Sequence, residues 1–249
     1  MDFYTYSNIG DRQVNEDFYG VSTFNGTYCF VVADGLGGHG GGDVASKYAV
    51  SEISRVFMEK GYSNSFFREA FESAQQKIIS VQEETGFMNR MKTTLVVVVM
   101  DKDYVYCAHV GDSRAYFFKN NKYMLHSIDH SVPQMLQISG EIKEEEIRFH
   151  PDRNRLTRVM GNKGESPDFS EWKKIKRRGL QSFLLCTDGF WELIDEDNMS
   201  ECLKESAGAE EWVNRMSEII KRNGENKVMD NYTCIAIKTS QKRFLGGLL

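Results

Sequence analysis

Apolar and polar residues alternate in two different patterns along this chain. Six short runs are rich in β-branched and aromatic residues, which predicts strands at 27–34, 93–100, 104–110, 114–118, 182–188 and 232–238. Three longer stretches repeat their apolar residues at spacings of three and four, which predicts helices at 43–60, 64–84 and 209–223. Strands and helices of this kind favour an α+β domain built in layers.

The connections between the middle strands are very short. Only "DKD" separates the runs at 93–100 and 104–110, and only "GDS" separates the latter from 114–118. Neither connection is long enough for a helical crossover, so we expect the three strands to form an antiparallel meander.

The length of 249 residues fits a single domain, which we place at residues 1–240, followed by a C-terminal tail at 241–249. The stretch from about 130 to 170 has few strand-like runs and many charges, as in "EIKEEEIRFHPDRNR". We interpret this stretch, called here the insertion, as a mobile surface segment and not as a second domain.

Composition narrows the class of protein. The net charge is −5 and the basic residues are scattered apart from one cluster at 173–178, which argues against nucleic acid as the main partner. The sequence has no signal-like start and no apolar run of roughly 20 residues, so we expect a cytoplasmic protein without membrane contact. Its five cysteines include no C-x-x-C pair and are expected to be reduced core thiols.

Aspartates stand where several predicted strands end or begin. Asp34, Asp188 and Asp230 each precede Gly or Asn, and Asp112 lies in the "GDS" turn. Carboxylates brought together at sheet edges repel one another and favour a cation, and oxygen ligands favour Mg²⁺ or Mn²⁺ over zinc. The alternative for each aspartate alone is a turn or a helix cap.

The segment "GLGGHG", residues 35–40, matches a dinucleotide-binding pattern and raises the alternative of an oxidoreductase. Such a site needs a parallel strand within about 30 residues, whereas two helical stretches precede the next strand here. Glycines at these positions also allow close backbone approach, so the carbonyl of Gly35 is a candidate ligand for a cation.

A charged cluster, "DRQVNED", lies near the N-terminus and supplies Arg12, Glu16 and Asp17. The planar guanidinium of Arg12 suits the paired oxygens of a phosphate, and the two acids could hold water molecules bound to a metal. A solvated run of charges is the alternative interpretation.

In this order, the motifs resemble those of the metal-dependent type 2C protein serine/threonine phosphatase family, especially its bacterial single-domain members. The matching segments include "RQVNED" (12–17), "VVADGLGGHGGGDVAS" (31–46), "HVGDSRAY" (109–116), "LLCTDGFWE" (184–192) and "DNYTCIAI" (230–237). The resemblance implies a four-layer αββα sandwich with two central antiparallel β-sheets flanked by helices. It also implies hydrolysis of phosphoserine and phosphothreonine in proteins by a metal-activated water.

The resemblance further assigns roles to residues. Asp34 would bridge two Mn²⁺ or Mg²⁺ ions, the Gly35 carbonyl would bind the first, and Asp188 with Asp230 would bind the second. Asp112 together with Asp188 would form a third, weaker site. These metal ligands and the catalytic residues Asp34, Asp188 and Arg12 are thus expected at one cleft.

The same resemblance implies that Arg12 binds the substrate phosphate and that Glu16 and Asp17 contact the ions mainly through water. Leu36 stands where some members carry a histidine proposed to protonate the leaving alcohol, so the proton donor stays open. The expected partners are phosphorylated proteins, including a serine/threonine kinase and its substrates, and the expected state is a monomer. A catalytically silent relative that binds phosphoproteins is the second alternative.

Overall fold

The structure, a computed structural model, describes residues 1–37, 40–86 and 90–239 of the chain. The strands in chain order are β1 (Asp2–Asn8), β2 (Asp17–Phe24), β3 (Thr27–Leu36), β4 (Lys92–Thr93), β5 (Leu95–Met100), β6 (Tyr104–Val110), β7 (Arg114–Lys119), β8 (Lys122–His126), β9 (Ser170–Glu171), β10 (Ile175–Lys176), β11 (Gln181–Cys186) and β12 (Tyr232–Thr239). The helices are α1 (Gly42–Lys60), α2 (Phe66–Thr85), α3 (Val132–Ser139), α4 (Asp188–Trp191), α5 (Glu196–Glu205) and α6 (Ala209–Gly224), with a 3₁₀ helix at Glu144–Phe149.

Two sheets form the centre of the molecule. One has the order β1-β12-β11-β7-β8, and the other has the order β10-β6-β5-β3-β2 with β4 beside β3 and β9 beside β6. Every pairing between these strands is antiparallel. The antiparallel sheets predicted from the sequence are therefore confirmed.

Alternation along the strands builds the four layers. In β3, Cys29 and Val31 pack with residues of α1 and α2, whereas Phe30 and Val32 face residues of the other sheet. The other sheet buries its outer side against α5 and α6, where Trp212 lies in the core. Strands buried on both faces read as continuous apolar runs, which is why they were easy to predict.

The meander prediction is wrong in its third strand. β5 and β6 pair as expected, but β7 pairs with β11 and β8 in the five-stranded sheet. Gly111, with a φ of 95°, begins the turn that carries the chain from one sheet to the other. A short connection fixes how close two strand ends lie, but it does not decide which sheet the next strand joins.

The dinucleotide alternative is also wrong. The neighbours of β3 are β2, β4 and β5, and all three run antiparallel to it, so the required parallel unit does not form around this strand. Within "GLGGHG", residues 38 and 39 lie outside the described residues. The tail at 241–249 lies outside them as well.

The insertion is attached to the core of the domain. It contains α3 and the 3₁₀ helix, and two of its apolar residues, Ile147 and Met160, are buried in the packed clusters on the two helical faces. All five cysteines are buried and unpaired. No helix of the described part of the chain is long and apolar enough to cross a membrane.

Candidate active site

The predicted aspartates come together where strands of the two sheets end. Asp34 lies near the end of β3, directly opposite Asp17 at the start of β2. Asp188 follows β11 and Asp230 precedes β12, and these two strands are antiparallel neighbours, so both residues lie at one edge. Together with Asp112 from the turn between the sheets, they form a group called here the acid edge.

Burial and mutual repulsion dominate the electrostatics of the acid edge. Burial raises the pKa of Asp34 well above its usual range, and repulsion from Asp188, its partner in a close carboxyl contact, raises it further. The pKa of Asp112 is also raised well above its usual range by burial and then by Asp188. The pKa of Asp188 is raised by burial and by repulsion from Asp230. Asp188 therefore disfavours the ionisation of Asp34 and Asp112, and Asp230 disfavours that of Asp188.

Asp17 adds a carboxylate with an unused oxygen. Its side chain is buried, and the Thr187 hydroxyl donates a hydrogen bond to Oδ2 at 2.9 Å. Its Oδ1 has no hydrogen-bond partner. Burial raises the pKa of Asp17 to about 8, and repulsion from Asp188 contributes to the rise. A buried carboxylate oxygen without a partner is costly unless a cation or a proton compensates it.

Arg12 approaches the acid edge from its exposed side. Its Nη2 donates to Oδ2 of Asp230 at 2.6 Å, while the side chains of the two residues are 52% and 37% exposed. Because the guanidinium carries several donors in one plane, the exposed part of Arg12 can still bind an anion. The arginine predicted to bind phosphate and an aspartate predicted to bind metal are thus direct neighbours.

The donor set of the acid edge fits a hard divalent cation. It consists of carboxylate oxygens, and its members repel one another when ionised. No three Asp, Glu, His or Cys side chains within 1–37, 40–86 and 90–239 are already arranged as a complete cage for a metal. One of the carboxylates, Asp230, is paired with Arg12.

Glycine lets the chain pass closely beneath Asp34. A Cβ on Gly35 would overlap the backbone carbonyl of Gly42 at the start of α1. The Gly35 N–H donates to the backbone oxygen of Glu16 at 3.0 Å, and Glu16 accepts a further hydrogen bond from Gly42 through its side chain. Burial raises the pKa of Glu16, and repulsion from Asp43 adds to the rise. Glu16 therefore lies beside Gly35, and repulsion from Asp230 also raises its pKa.

Threonines fix the backbone of Asp34 from below. The Asp34 N–H donates to Oγ1 of Thr94 at 2.9 Å, and its carbonyl accepts from the Thr93 hydroxyl at 2.8 Å. Oγ1 of Thr94 in turn shares a hydrogen bond of 2.7 Å with Oγ of Ser113, next to Asp112. Buried hydroxyls thus connect the backbone of Asp34 to the turn that carries Asp112.

Asn231 joins the N-terminal loop to the acid edge. Its Nδ2 donates to the carbonyl of Ile9 at 2.8 Å, and its Oδ1 accepts from the N–H of Glu16 at 2.7 Å. Its own N–H donates to Oδ1 of Asp230 at 2.8 Å. This residue holds the loop that carries Arg12, a role that was not predicted from the sequence. Its position directly after Asp230 in "DNY" was the available signal.

Glu192 is a second residue near the acid edge whose role was not predicted from the sequence. It follows Asp188 by one helical turn, and its carboxylate pairs with Arg153 of the insertion at 2.7 Å. Burial raises the pKa of Glu192 to about 7, and repulsion from Asp188 adds to the rise. The helical spacing after Asp188 could have indicated that this side chain lies near the acid edge.

A cavity of about 720 Å³ lies next to the acid edge, between the insertion and the start of α5. Its lining includes Arg148 of the 3₁₀ helix, Glu192 and Glu196. No aspartate of the acid edge belongs to its lining, so the cavity is separate from the acid edge itself.

Comparison with known proteins gives the family to which this sandwich of two sheets belongs. The sequence profile of the family described as "Protein phosphatase 2C" matches residues 5–232. The serine/threonine phosphatase stp of Listeria welshimeri is 34% identical over 200 residues, which cover 78% of this chain and 79% of that protein. The chain belongs to the protein phosphatase 2C family.

Solved structures share the fold. Serine/threonine phosphatase Stp1 from Staphylococcus aureus is 27% identical, with a TM-score of 0.85 and a coverage of 96% of each chain. The catalytic domain of PstP, solved in complex with 2 manganese ions, is 23% identical with a TM-score of 0.79, covering 96% of this chain and 98% of that one. The protein is therefore a metal-dependent hydrolase that acts on phosphoserine and phosphothreonine in proteins.

Proposed function

We propose that the acid edge holds the metal ions of this phosphatase and that these are Mn²⁺ or Mg²⁺. Asp34 would contact two ions, the Gly35 carbonyl would contribute to the first, and Asp188 with Asp230 to the second. Asp112 with Asp188 would hold a third ion, and Glu16 and Asp17 would act mainly through water. Divalent cations in such a site supply positive charge that offsets the phosphate and lowers the pKa of water.

One observation carries this proposal. The carboxyl groups of Asp34 and Asp188 are half-buried and lie in close contact, and Asp188 raises the pKa of Asp34 while Asp230 raises that of Asp188. Asp17, whose Oδ1 has no hydrogen-bond partner, is repelled by Asp188 and Asp230 as well. Divalent cations offset all of these charges together, which hydrogen bonds from the surrounding backbone do only in part.

The chain's own residues would orient the phosphate. Arg12 is half exposed at the rim of the acid edge, so its guanidinium can bind phosphate oxygens and stabilise the charge that develops on them. The Gly189 N–H donates to Oδ1 of Asp188 at 2.6 Å, which fixes the direction of that carboxylate. The fixed positions of these groups reduce the reorganisation that the reaction requires.

Hydrolysis of a phosphothreonine peptide tests the proposal. We expect turnover with Mn²⁺ or Mg²⁺, loss of turnover in excess chelator, and recovery when the metal is restored. Arg12→Lys should lower kcat/KM by roughly 100-fold because a lysine cannot replace the planar fork. Turnover that persists in chelator, or no turnover with any divalent ion, would contradict the proposal.

We also propose that the insertion selects phosphoprotein substrates, that these include a serine/threonine kinase and its targets, and that a monomer acts on them in the cytoplasm. The contact between Arg153 and Glu192 supports the first point, because it places the insertion next to Asp188. Deletion of α3 should lower the rate on a phosphoprotein more than the rate on a small aryl phosphate. If the deletion left the rates on both substrates unchanged, the proposed role of the insertion in substrate selection would be contradicted.

A further inference from the structure

Trp191 connects the acid edge to two other parts of the molecule. It is the last residue of α4, three positions after Asp188, and its side chain is buried. Its indole Nε1–H donates a hydrogen bond of 3.0 Å to the backbone carbonyl of Asp112. Trp191 therefore contacts the turn that carries Asp112 and lies in the same short helix as Asp188.

An arginine fixes the plane of the indole ring. The guanidinium carbon of Arg114 lies 3.5 Å from the centre of the Trp191 ring. Arg114 is itself held by two hydrogen bonds to the carboxylate of Asp129, at 2.8 and 2.7 Å, and both residues are buried. Because this pair allows little movement, the stacked ring has a defined orientation toward Asp112.

The insertion reaches the same tryptophan from the other side. Nη1 of Arg148, in the 3₁₀ helix, donates to the backbone carbonyls of Trp191 at 2.6 Å and Ile194 at 2.9 Å. Its Nη2 donates to both carboxylate oxygens of Glu196, at 3.0 and 2.9 Å. Arg148 lines the cavity of about 720 Å³, so this attachment lies next to solvent-accessible space.

We infer that Trp191 is a positioning residue that holds the Asp112 turn for cation binding and couples that turn to the insertion through Arg148. The inference rests on the proposed role of Asp112 as a ligand of a third ion. Without the indole donor, the Asp112 carbonyl is left unpaired beside a buried ring. The turn then loses its contact with α4, while the hydroxyl contact between Ser113 and Thr94 keeps it on the opposite side.

Trp191→Phe is the direct test, because phenylalanine keeps an aromatic ring beneath Arg114 and removes the N–H donor. Trp212→Phe is the matched control. The Trp212 indole is also buried and also donates to a backbone carbonyl at 3.0 Å, that of Met199, but it lies in α6 away from the acid edge. Any effect of losing one buried indole hydrogen bond is therefore common to both variants.

Two readouts are needed, namely Mn²⁺ binding without substrate, measured by equilibrium dialysis, and the Mn²⁺ dependence of aryl phosphate hydrolysis. In Trp191→Phe, we expect the dissociation constant of the weakest bound ion and the Mn²⁺ concentration for half-maximal rate to rise about tenfold. The rate at saturating Mn²⁺ should change much less. Trp212→Phe should bind Mn²⁺ like the wild type, and Arg148→Lys should shift binding in the same direction as Trp191→Phe.

A double-mutant cycle separates positioning from general destabilisation. If Trp191 acts through Asp112, adding Trp191→Phe to Asp112→Asn should not weaken Mn²⁺ binding any further. Equal Mn²⁺ binding by wild type and Trp191→Phe, an equal loss in Trp212→Phe, or additive effects in the double mutant would each overturn the inference. If Trp191→Phe does not fold, Arg148→Lys replaces it, both alone and combined with Asp112→Asn.

The failure of this inference is distinguishable from the failure of the proposed function. Wild-type protein that shows no Mn²⁺-dependent hydrolysis contradicts the proposed function itself. Wild-type protein that needs Mn²⁺, combined with an unchanged Trp191→Phe, contradicts the role of Trp191 alone.

Discussion

The half-buried carboxyl groups of Asp34 and Asp188 lie in close contact, an arrangement that costs stability unless a cation is bound. A residue that destabilises the metal-free fold and yet occupies the centre of a site is more readily explained by function than by folding. The same reasoning extends to Asp17, whose Oδ1 has no partner. At the scale of single residues, the aspartates of the acid edge thus serve catalysis and lower the stability of the metal-free protein.

Replacing Asp34 or Asp188 tests whether these residues serve catalysis and not stability. Asp34→Asn and Asp188→Asn should each lower the rate of phosphopeptide hydrolysis by more than ~100-fold, since each removes a proposed metal ligand. In chelator, their melting temperatures should equal or exceed that of the wild type, because one repelling charge is gone. Activity assays and thermal unfolding measure the two effects.

Asp103→Asn is the control for these variants, because Asp103 is an exposed residue of the "DKD" turn. It should retain wild-type turnover. Global unfolding of both Asp34→Asn and Asp188→Asn would indicate a structural role for the aspartates and contradict the claim that they serve catalysis and not stability.

At the scale of elements, the approach of β3 to α1 depends on Gly35. Gly35→Ala should destabilise the protein by roughly 1–3 kcal/mol, because its Cβ meets the Gly42 carbonyl, which is backbone and can move only with α1. Gly26→Ala is the control, since its Cβ meets nothing within 4 Å and its φ of 79° costs only about 1 kcal/mol. Urea denaturation compares them, and a smaller effect for Gly35→Ala than for Gly26→Ala would contradict the steric argument.

The contact between β6 and the loop after β8 makes stability depend on pH. His130 accepts a hydrogen bond from Gly111 N–H through Nδ1, at 3.2 Å, and stacks on His109 of β6 with ring centres 4.7 Å apart. Burial lowers the pKa of His130 to about 3, and repulsion from His109 and from Arg158 contributes. Folding therefore keeps this histidine neutral.

The sign of the pH effect follows from the depressed pKa. Between the unfolded value of 6.5 and about 3, the unfolded chain binds more protons at this residue, so acid favours unfolding. Above pH 6.5, protonation of His130 does not lower the free energy of unfolding. Below pH 6.5, it lowers this free energy by at most ~1.4 kcal/mol per pH unit. His130→Asn should reduce stability at neutral pH and show a shallower decline toward acid. Urea denaturation across this range measures the slopes, and parallel slopes would contradict the assignment.

Local patterns predicted the elements whose faces are buried and missed those that are not. β5 reads as "LVVVVM" and is buried along its full length, whereas β1 has no fully buried residue and alternates weakly. α5 buries only Met199, Cys202 and Leu203, which gives too short a helical repeat to stand out among its charges. The sheet to which β7 belongs depends on its partners β8 and β11, and the second of these lies far along the chain.

At the scale of the molecule, the acid edge is assembled from distant segments. The aspartates were predictable because each stands at a strand end beside a turn residue, a signal that is local in the sequence. Asn231 and Trp191 were not predictable in their roles, because their partners Ile9 and Asp112 are brought close only by the packing of the two sheets. The site therefore depends on the register of both sheets as much as on its ligands.

The number of Mn²⁺ ions that the protein retains tests the central claim most directly. Equilibrium dialysis of the full chain against Mn²⁺ should give at least about two ions per chain for the wild type and for Asp103→Asn. Asp34→Asn should retain fewer ions than either of them. Retention of no Mn²⁺ by the wild type, or equal retention by Asp34→Asn, would contradict the claim that the acid edge is the metal site.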